Sequence, residues 1–158
     1  MNQGLEALVA DASVAAKWHL PDETDAGKAL ALLQQFHDGI IELIAPTHIL
    51  YEVPAAITVA SRGPSPRLTA EQAEAAIEAF LEIGLPTIHS TGLLKAAYAL
   101  AQRLDIAFYD ANYVAVAREL GIPLIVADGK LYLRIHGSIA TPWLANWPPA
   151  TSLSIPPP

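Results

Sequence analysis

The chain has 158 residues, which suits one domain with a substantial core. Although 53% of the residues are hydrophobic, no segment is long and apolar enough to span a bilayer, and the amino-terminal segment lacks the basic start of a signal peptide. The absence of cysteine excludes disulfides, thiolate metal sites and cysteine nucleophiles, and a net charge of −7 argues against generic nucleic-acid binding. We therefore expect a cytoplasmic protein whose excess apolar surface forms a subunit or partner interface.

The first half of the chain predicts short strands that alternate with helices. Apolar runs of strand length and apolar residues at helical spacing give these assignments, and Pro21 and Asp38-Gly39 supply the breaks. In chain order, the predicted elements are a strand over 8–10, a short helix over 13–17, a helix capped by Asp22, a strand over 40–44 and a helix from Pro46 to Ser61.

The second half continues the alternation. Thr69 and Gln72 predict a capping box. The helix that follows has a predicted buried stripe of Ala73, Ala76, Ile77, Phe80 and Leu81. The later predicted elements are a strand over 86–89, a helix capped by Ser90 or Thr91, a helix over 109–120, a strand ending at Asp128, a short helix over 130–135 and a last strand near Ile139.

This alternation predicts an α/β fold with a mostly parallel central sheet flanked by helices. One domain should cover residues 1–147. A Pro-rich tail over 148–158 should be disordered, because proline cannot donate to a sheet ladder.

Four carboxylates stand at positions that could face one cleft. Asp11 and Asp128 each close a short apolar run, and ligands in open α/β sheets bind beyond the carboxyl ends of the strands. Glu52 lies among apolar residues, and Asp110 stands near the start of a helix. Acids gathered in one cleft repel each other unless protons or cations neutralise them, so the pattern predicts a divalent metal.

Each acid except Glu52 also has an ordinary structural explanation. Asp11 and Asp110 are suitable helix caps or first-turn acids, and Asp128-Gly129 is common turn chemistry. Glu52 rarely enters apolar surroundings without a partner. A purely structural role for all four is disfavoured, because perturbed carboxylates concentrate at functional sites.

Four sequence blocks, over 9–18, 45–53, 109–117 and 124–131, resemble the motifs of PIN-domain ribonucleases, and among these the VapC toxins of toxin–antitoxin pairs. The resemblance implies a metal-dependent endoribonuclease that hydrolyses RNA with water and leaves a 5′-phosphate. It maps the catalytic and metal-binding acids onto Asp11, Glu52, Asp110 and Asp128. It further implies a VapB-like antitoxin as partner. A homodimer is expected from the high apolar content, because exposed apolar surface usually marks an interface. Oxygen ligands without cysteine suit Mg²⁺ or Mn²⁺.

Some neighbouring residues have two readings. Ser13 resembles the small hydroxyl residue that the family has near its first acid, and it could contact substrate there. Alternatively, its hydroxyl caps a helix. Asn112 could reach the cleft, although a solvated helix position is the preferred interpretation. Val126 replaces a hydroxyl residue often found in the family, and Pro54 should kink the helix beside Glu52.

Other polar and aromatic residues carry weaker signals. The five histidines are scattered and are assigned structural or solvent-exposed roles, and Trp143 and Trp147 are expected to clamp the carboxyl-terminal segment. The candidate phosphate contacts are Lys17, Arg62, Arg67, Lys95, Arg103 and Lys130.

Two other functions compete with the nuclease hypothesis. One is a catalytically weak PIN-fold binding module that acts through a protein partner. The other is a different metal-dependent phosphohydrolase, which ranks last because Ser13 occupies the second acid position of a DxD motif.

Overall fold

The computed structural model describes residues 6–148, so most of the predicted tail lies outside the described residues. The strands are β1 (Glu6–Ala10), β2 (Ile41–Pro46), β3 (Thr87–Ile88) and β4 (Leu124–Ile125). The helices are α1 (Ala12–Ala15), α2 (Ala26–His37), α3 (Ile49–Ala60), α4 (Ala70–Glu82), α5 (Leu94–Leu104), α6 (Phe108–Leu120) and α7 (Gly129–Ile135). Short 3₁₀ helices cover Ala16–Trp18, Thr91–Leu93 and Leu144–Asn146.

The four strands form one parallel sheet in the order β3-β2-β1-β4, which confirms the predicted α/β fold. β1 occupies an interior position and contributes Leu8, Val9 and Ala10, whose side chains have no exposed surface. The sequence of a strand that is buried on both faces is a continuous apolar run, because helices cover the sheet on both sides. The segment 8–10 could therefore be assigned from sequence.

The sheet register brings the carboxyl ends of three strands together. Val9 pairs with Ile44 of β2 and with Leu124 of β4, so the chain leaves all three strands at the same edge of the sheet. Asp11 follows β1 directly, and its backbone N–H donates to the carbonyl of Ile125. α3 begins at Ile49, three residues beyond the end of β2.

The capping box of α4 is confirmed. The hydroxyl of Thr69 accepts from the backbone N–H of Gln72, and the side chain of Gln72 accepts from the backbone N–H of Thr69 at 2.8 Å. Ala73 and Phe80 are buried as predicted, whereas Leu81 is 56% exposed. Leu81 follows Phe80 by one residue, which turns its side chain about 100° away from the buried face.

Several elements were predicted wrongly. Pro46 is the last residue of β2 and does not open α3, which begins at Ile49, and β4 ends at Ile125, three residues before Asp128.

α2 begins at Ala26 after Asp25, which takes a left-handed conformation, whereas Asp22 forms an ion pair with Arg67. The expected strand near Ile139 is absent from the described residues, and a single bridge between Val126 and Trp143 is found instead. These errors arise because local sequence does not show which backbone groups find distant partners.

Two tryptophans pack the carboxyl-terminal segment against the core, as predicted. Trp147 is buried, and its indole N–H donates to the side-chain oxygen of Gln35 in α2 at 3.0 Å. Trp143 packs against Tyr132 of α7. None of the helices within residues 6–148 has the length and apolar content needed to traverse a bilayer.

Candidate functional site

Asp11 is a buried acid at the carboxyl end of β1. Its residue is only 4% exposed, and its carboxylate caps α1 by accepting from the backbone N–H and the hydroxyl of Ser13. Burial raises the pKa of the Asp11 carboxyl to about 7, against the lowering effect of the Ser13 bonds, and Asp110 and Glu52 raise it further. Asp11 therefore caps a helix and is also a candidate site residue. Capping alone does not remove the cost of burying its charge.

Glu52 and Asp110 approach Asp11 from two helices. Glu52 stands in the first turn of α3 and Asp110 in the first turn of α6, where the helix dipole favours an acid. Burial raises the pKa of both carboxyls. The charge of Asp110 raises the pKa of Glu52, and the charge of Asp128 raises the pKa of Asp110. The structure thus brings Asp11, Glu52 and Asp110 within electrostatic range of one another.

Tyr113 holds Glu52 in place and His48 lies beside it, and sequence reasoning missed both. The hydroxyl of Tyr113, a fully buried residue, donates to Oε2 of Glu52 at 2.7 Å. Nε2 of His48 lies 3.3 Å from the same oxygen, and burial lowers the pKa of this imidazole. The sequence signal that could have identified them is their spacing from the acids, which is that of neighbours on one helix face. His48 stands four residues before Glu52, and Tyr113 stands three residues after Asp110.

Asn112 is buried at 4% exposure, so the preferred interpretation of a solvated residue was wrong. Its side-chain Nδ2 donates to the hydroxyl of Ser90 at 2.8 Å and lies 3.4 Å from Nδ1 of His48. All residues of α6 from Ala111 to Ala117 are buried, so this part of the helix has no solvent-facing side. A prediction from amphipathic periodicity assumes one exposed face and therefore misses the burial of Asn112. Asn112 therefore supports His48, and through it Glu52.

Asp128 and Ser13 are engaged with backbone groups. The carboxylate of Asp128, an exposed residue, caps α7 by accepting from the backbone N–H groups of Lys130 and Leu131 at 2.8 and 3.0 Å. The Ser13 hydroxyl donates to Asp11 and accepts from the backbone N–H of Ala127 at 3.0 Å. Ser13 thereby joins the end of β1 to the segment that follows β4.

The donor types at this site fit a hard divalent cation, since all four candidate ligands offer carboxylate oxygens. Among residues 6–148, neither Lys nor Arg pairs with Asp11, Asp110 or Asp128. Within the same range, no three His, Asp or Glu side chains are arranged closely enough to hold one ion. Convergence of the four acids on one ion thus stays a prediction.

A cleft of about 610 Å³ opens beside these acids. Ser13, Glu52 and Asp128 line it together with three basic residues, Lys17, Arg62 and Arg67. Of the other candidate phosphate contacts, Arg103 lines a different cavity with Arg118. The fold thus gathers half of the predicted phosphate contacts at the acidic site. We name this space the basic cleft.

Replacing Tyr113 with phenylalanine should weaken both folding and function. Glu52 would lose a hydrogen bond that lowers its pKa, so this pKa should rise, and the free energy of unfolding should fall by about 1 to 2 kcal/mol. RNA cleavage should fall about tenfold, with its pH profile displaced upward, because a group that orients a ligand is lost.

Urea unfolding and cleavage rates across pH measure these two effects. Tyr51→Phe is the matched control, since Tyr51 lies on α3 beside Glu52 but is 76% exposed. An unchanged pH profile in Tyr113→Phe would show that Tyr113 only fills the core.

Comparison with known families supports a nuclease. The PIN domain model matches residues 8–135. Ribonuclease VapC3 of Pyrobaculum aerophilum is 33% identical over 129 residues, which cover 78% of this chain and 91% of that protein. The family match spans the segments that carry the four acids.

Solved structures show the same fold. PAE2754 of Pyrobaculum aerophilum superposes with a TM-score of 0.64 at 20% identity, covering 90% of this chain and 92% of that one. VapC20 of Mycobacterium tuberculosis, described as a sarcin–ricin loop cleaving toxin, gives 0.59 at 23% identity over 80% and 93%. FitAB bound to an IR36 DNA fragment gives 0.55 at 16% identity over 87% and 94%.

These structural likenesses, all below 25% identity, concern the fold alone. The family match and the curated relative go further, because they extend over most of the chain. The chain belongs to the PIN domain family, and its likeness to Ribonuclease VapC3 supports a VapC-like ribonuclease.

Proposed function

We propose that this protein is a Mg²⁺- or Mn²⁺-dependent endoribonuclease and the toxin of a VapBC-type pair in the cytoplasm. The observation that carries the proposal is the buried Asp11 carboxyl, which shares its surroundings with Glu52 and Asp110 and has no basic partner within residues 6–148. A buried charge without a partner is costly, and an active site is where such a cost is retained.

The proposed ligands are Asp11, Glu52, Asp110 and Asp128. A divalent ion bound there would supply Lewis-acid chemistry, lowering the pKa of water and stabilising the leaving oxygen of the phosphodiester. The chain's own residues supply the rest. Ser13 fixes the Asp11 carboxylate, and the Tyr113 hydroxyl orients Glu52. Ser13 also lines the basic cleft, and we retain it as a proposed substrate contact.

Chelation tests the proposal. Purified protein with a labelled single-stranded or looped RNA should produce fragments in Mg²⁺ or Mn²⁺, lose this activity in EDTA and regain it when metal is restored in excess. Cleavage that survives chelation would contradict the metal dependence. Fragments with a 5′-phosphate, detected by their ligation, would agree with hydrolysis by water.

A catalytically weak binding module is the second candidate. It is favoured by one observation, that no three acidic or histidine side chains among residues 6–148 form a ready coordinating group. The same assay separates the two functions. A folded protein that cleaves no tested RNA in either metal would favour the binding module.

The proposed partner is a VapB-like antitoxin, and we also propose a homodimer. Several large apolar side chains are exposed, which is typical of a surface that a partner covers. They include Tyr51, Val59, Tyr98, Phe108 and Tyr109. The FitAB complex, related in fold, agrees with a toxin that works within an assembly.

The antitoxin should inhibit by placing a cationic side chain, that of an arginine, among the acids. A guanidinium can bridge two carboxylates, so it would compete with metal for the same oxygens. Raising Mg²⁺ should therefore weaken the toxin–antitoxin complex about tenfold or more. Calorimetric titration over a series of Mg²⁺ concentrations measures this. An affinity indifferent to Mg²⁺ would indicate a partner that covers the site through apolar contacts.

A further inference from the structure

The basic cleft holds three of the nine Lys and Arg residues of a chain whose net charge is −7. Three acids, Glu23, Glu52 and Asp128, also line it, so basic and acidic side chains are equal in number. The remaining lining is made of small, aliphatic and hydroxyl side chains. Such a mixed surface is suited to a chain that carries phosphates along its backbone and brings a divalent cation to the acids.

Two of the three cations share one glutamate. Oε2 of Glu23 lies 3.1 Å from Nζ of Lys17, and Oε1 of Glu23 lies 3.2 Å from Nη2 of Arg67. Arg67 also pairs with Asp22 at 2.9 Å. These four residues carry no net charge together. Arg62 lines the same cleft and makes no ion pair with any residue of the range 6–148.

We propose that the basic cleft binds the backbone of the RNA strand next to the scissile bond, with Arg62 as a phosphate contact. Glu23 restrains this binding, because it holds Lys17 and Arg67 until an RNA phosphate replaces it. The inference rests on the proposed nuclease function and extends it to substrate binding.

The geometry favours RNA over an acidic protein segment. The cleft is lined by Glu52 and Asp128 as well as by Arg62. A substrate phosphate at the acids, brought with its metal, and a second phosphate at Arg62 would satisfy both kinds of side chain. An acidic peptide would satisfy only the arginine and would be repelled by the acids. The cleft is lined by no aromatic side chain among the described residues, so binding should depend on phosphates and tolerate many base sequences.

Binding of a labelled single-stranded RNA in Mg²⁺ tests the inference, with Asp110→Asn as a host that does not cleave. Arg62→Gln in this host should weaken binding several-fold. It should also reduce the slope of log affinity against log salt by about 0.7, the value for one phosphate contact on a single strand. Arg118→Gln, a matched change in the other cavity, should leave affinity and slope unchanged.

Glu23→Gln should tighten RNA binding and steepen the salt slope, since it frees Lys17 and leaves Arg67 paired with Asp22 alone. Asp22→Asn, whose side chain is 52% exposed, should act in the same direction with a smaller effect. It also serves if Glu23→Gln does not fold, because Lys17 is only 12% exposed and loses its partner in that variant. Thermal melting of each variant identifies folded protein.

Three results would overturn the inference. One is an Arg62→Gln variant with unchanged affinity and slope, and another is equal losses in Arg62→Gln and Arg118→Gln. The third is an Arg62→Gln variant that binds RNA normally but loses an antitoxin, which would make the cleft a protein site. Wild-type cleavage, measured in parallel, separates the two proposals. If wild-type protein cleaves RNA and Arg62 has no effect, only the cleft assignment fails, whereas wild-type protein that neither binds nor cleaves RNA overturns both.

Discussion

Replacing Asp110 with asparagine should lower the rate of RNA cleavage by about a hundredfold or more, since the change removes a proposed metal ligand outright. Asp110 has two properties that predict this large effect. It is partly buried, and its carboxylate lies within electrostatic range of Glu52, Asp11 and Asp128. Asparagine keeps the shape of the side chain but removes the charge, so binding of Mg²⁺ should weaken together with cleavage.

Glu119→Gln is the matched control for this experiment. It removes one acid from the same helix at an exposed position beside the other cavity, so the rate should stay within about twofold of wild type. Initial rates over a Mg²⁺ series separate weakened metal binding, which high Mg²⁺ would partly restore, from loss of the chemical step. A rate in Asp110→Asn equal to that of Glu119→Gln would exclude Asp110 from the site.

Metal-free protein should lose stability as pH rises, and Asp11 should be the main cause. The pKa of its carboxyl is raised from 3.8 to about 7 in the folded protein. The folded state therefore keeps a proton that the unfolded chain releases. The associated stability is fully present below about pH 4 and is lost as pH rises to about 7 and above.

The expected size of this effect follows from the displacement of the pKa. Each pH unit corresponds to about 1.4 kcal/mol, so ionised Asp11 should cost on the order of 4 kcal/mol above about pH 8. Asp11→Asn should consequently be more stable than wild type at high pH in EDTA, although it lacks activity. Asparagine can still cap α1, so the helix start should be preserved.

Urea unfolding in EDTA at about pH 5 and pH 8 measures the effect. Asp38→Asn is the control, because Asp38 is exposed and its replacement should change stability by less than about 0.5 kcal/mol at either pH. Adding Mg²⁺ at high pH should stabilise wild type and leave Asp11→Asn nearly unaffected. Equal pH dependence in wild type and Asp11→Asn would show that the buried carboxyl stays charged at little cost.

The sequence was sufficient for features that depend on local pattern. The apolar run before Asp11, the capping box at Thr69 and the alternation of strands and helices all predicted what the structure contains, because each depends on residues close along the chain. Asp11 could be chosen as a candidate acid for the same reason, because the apolar run that marks the strand directly precedes it.

Features that depend on contacts between distant segments could not be predicted. Asn112 is buried because Ser90 and His48 supply partners from two other segments. The Tyr113 bond to Glu52 joins residues 61 positions apart. A hydrophobic pattern reports which face of a helix is apolar, but it does not report which buried polar atoms meet across the core.

The arrangement of the acids divides the site between the core and an edge of the sheet. The first turn of α6 carries Asp110, and the residues Asn112 and Tyr113 that follow it contact His48 and Glu52. Asp128 instead follows β4, a two-residue strand at the end of the sheet order. An ion shared by Asp110 and Asp128 would link that edge to the core, as a crosslink does. Occupancy of the site would then govern local unfolding of the β4–α7 segment and its exposure to proteases.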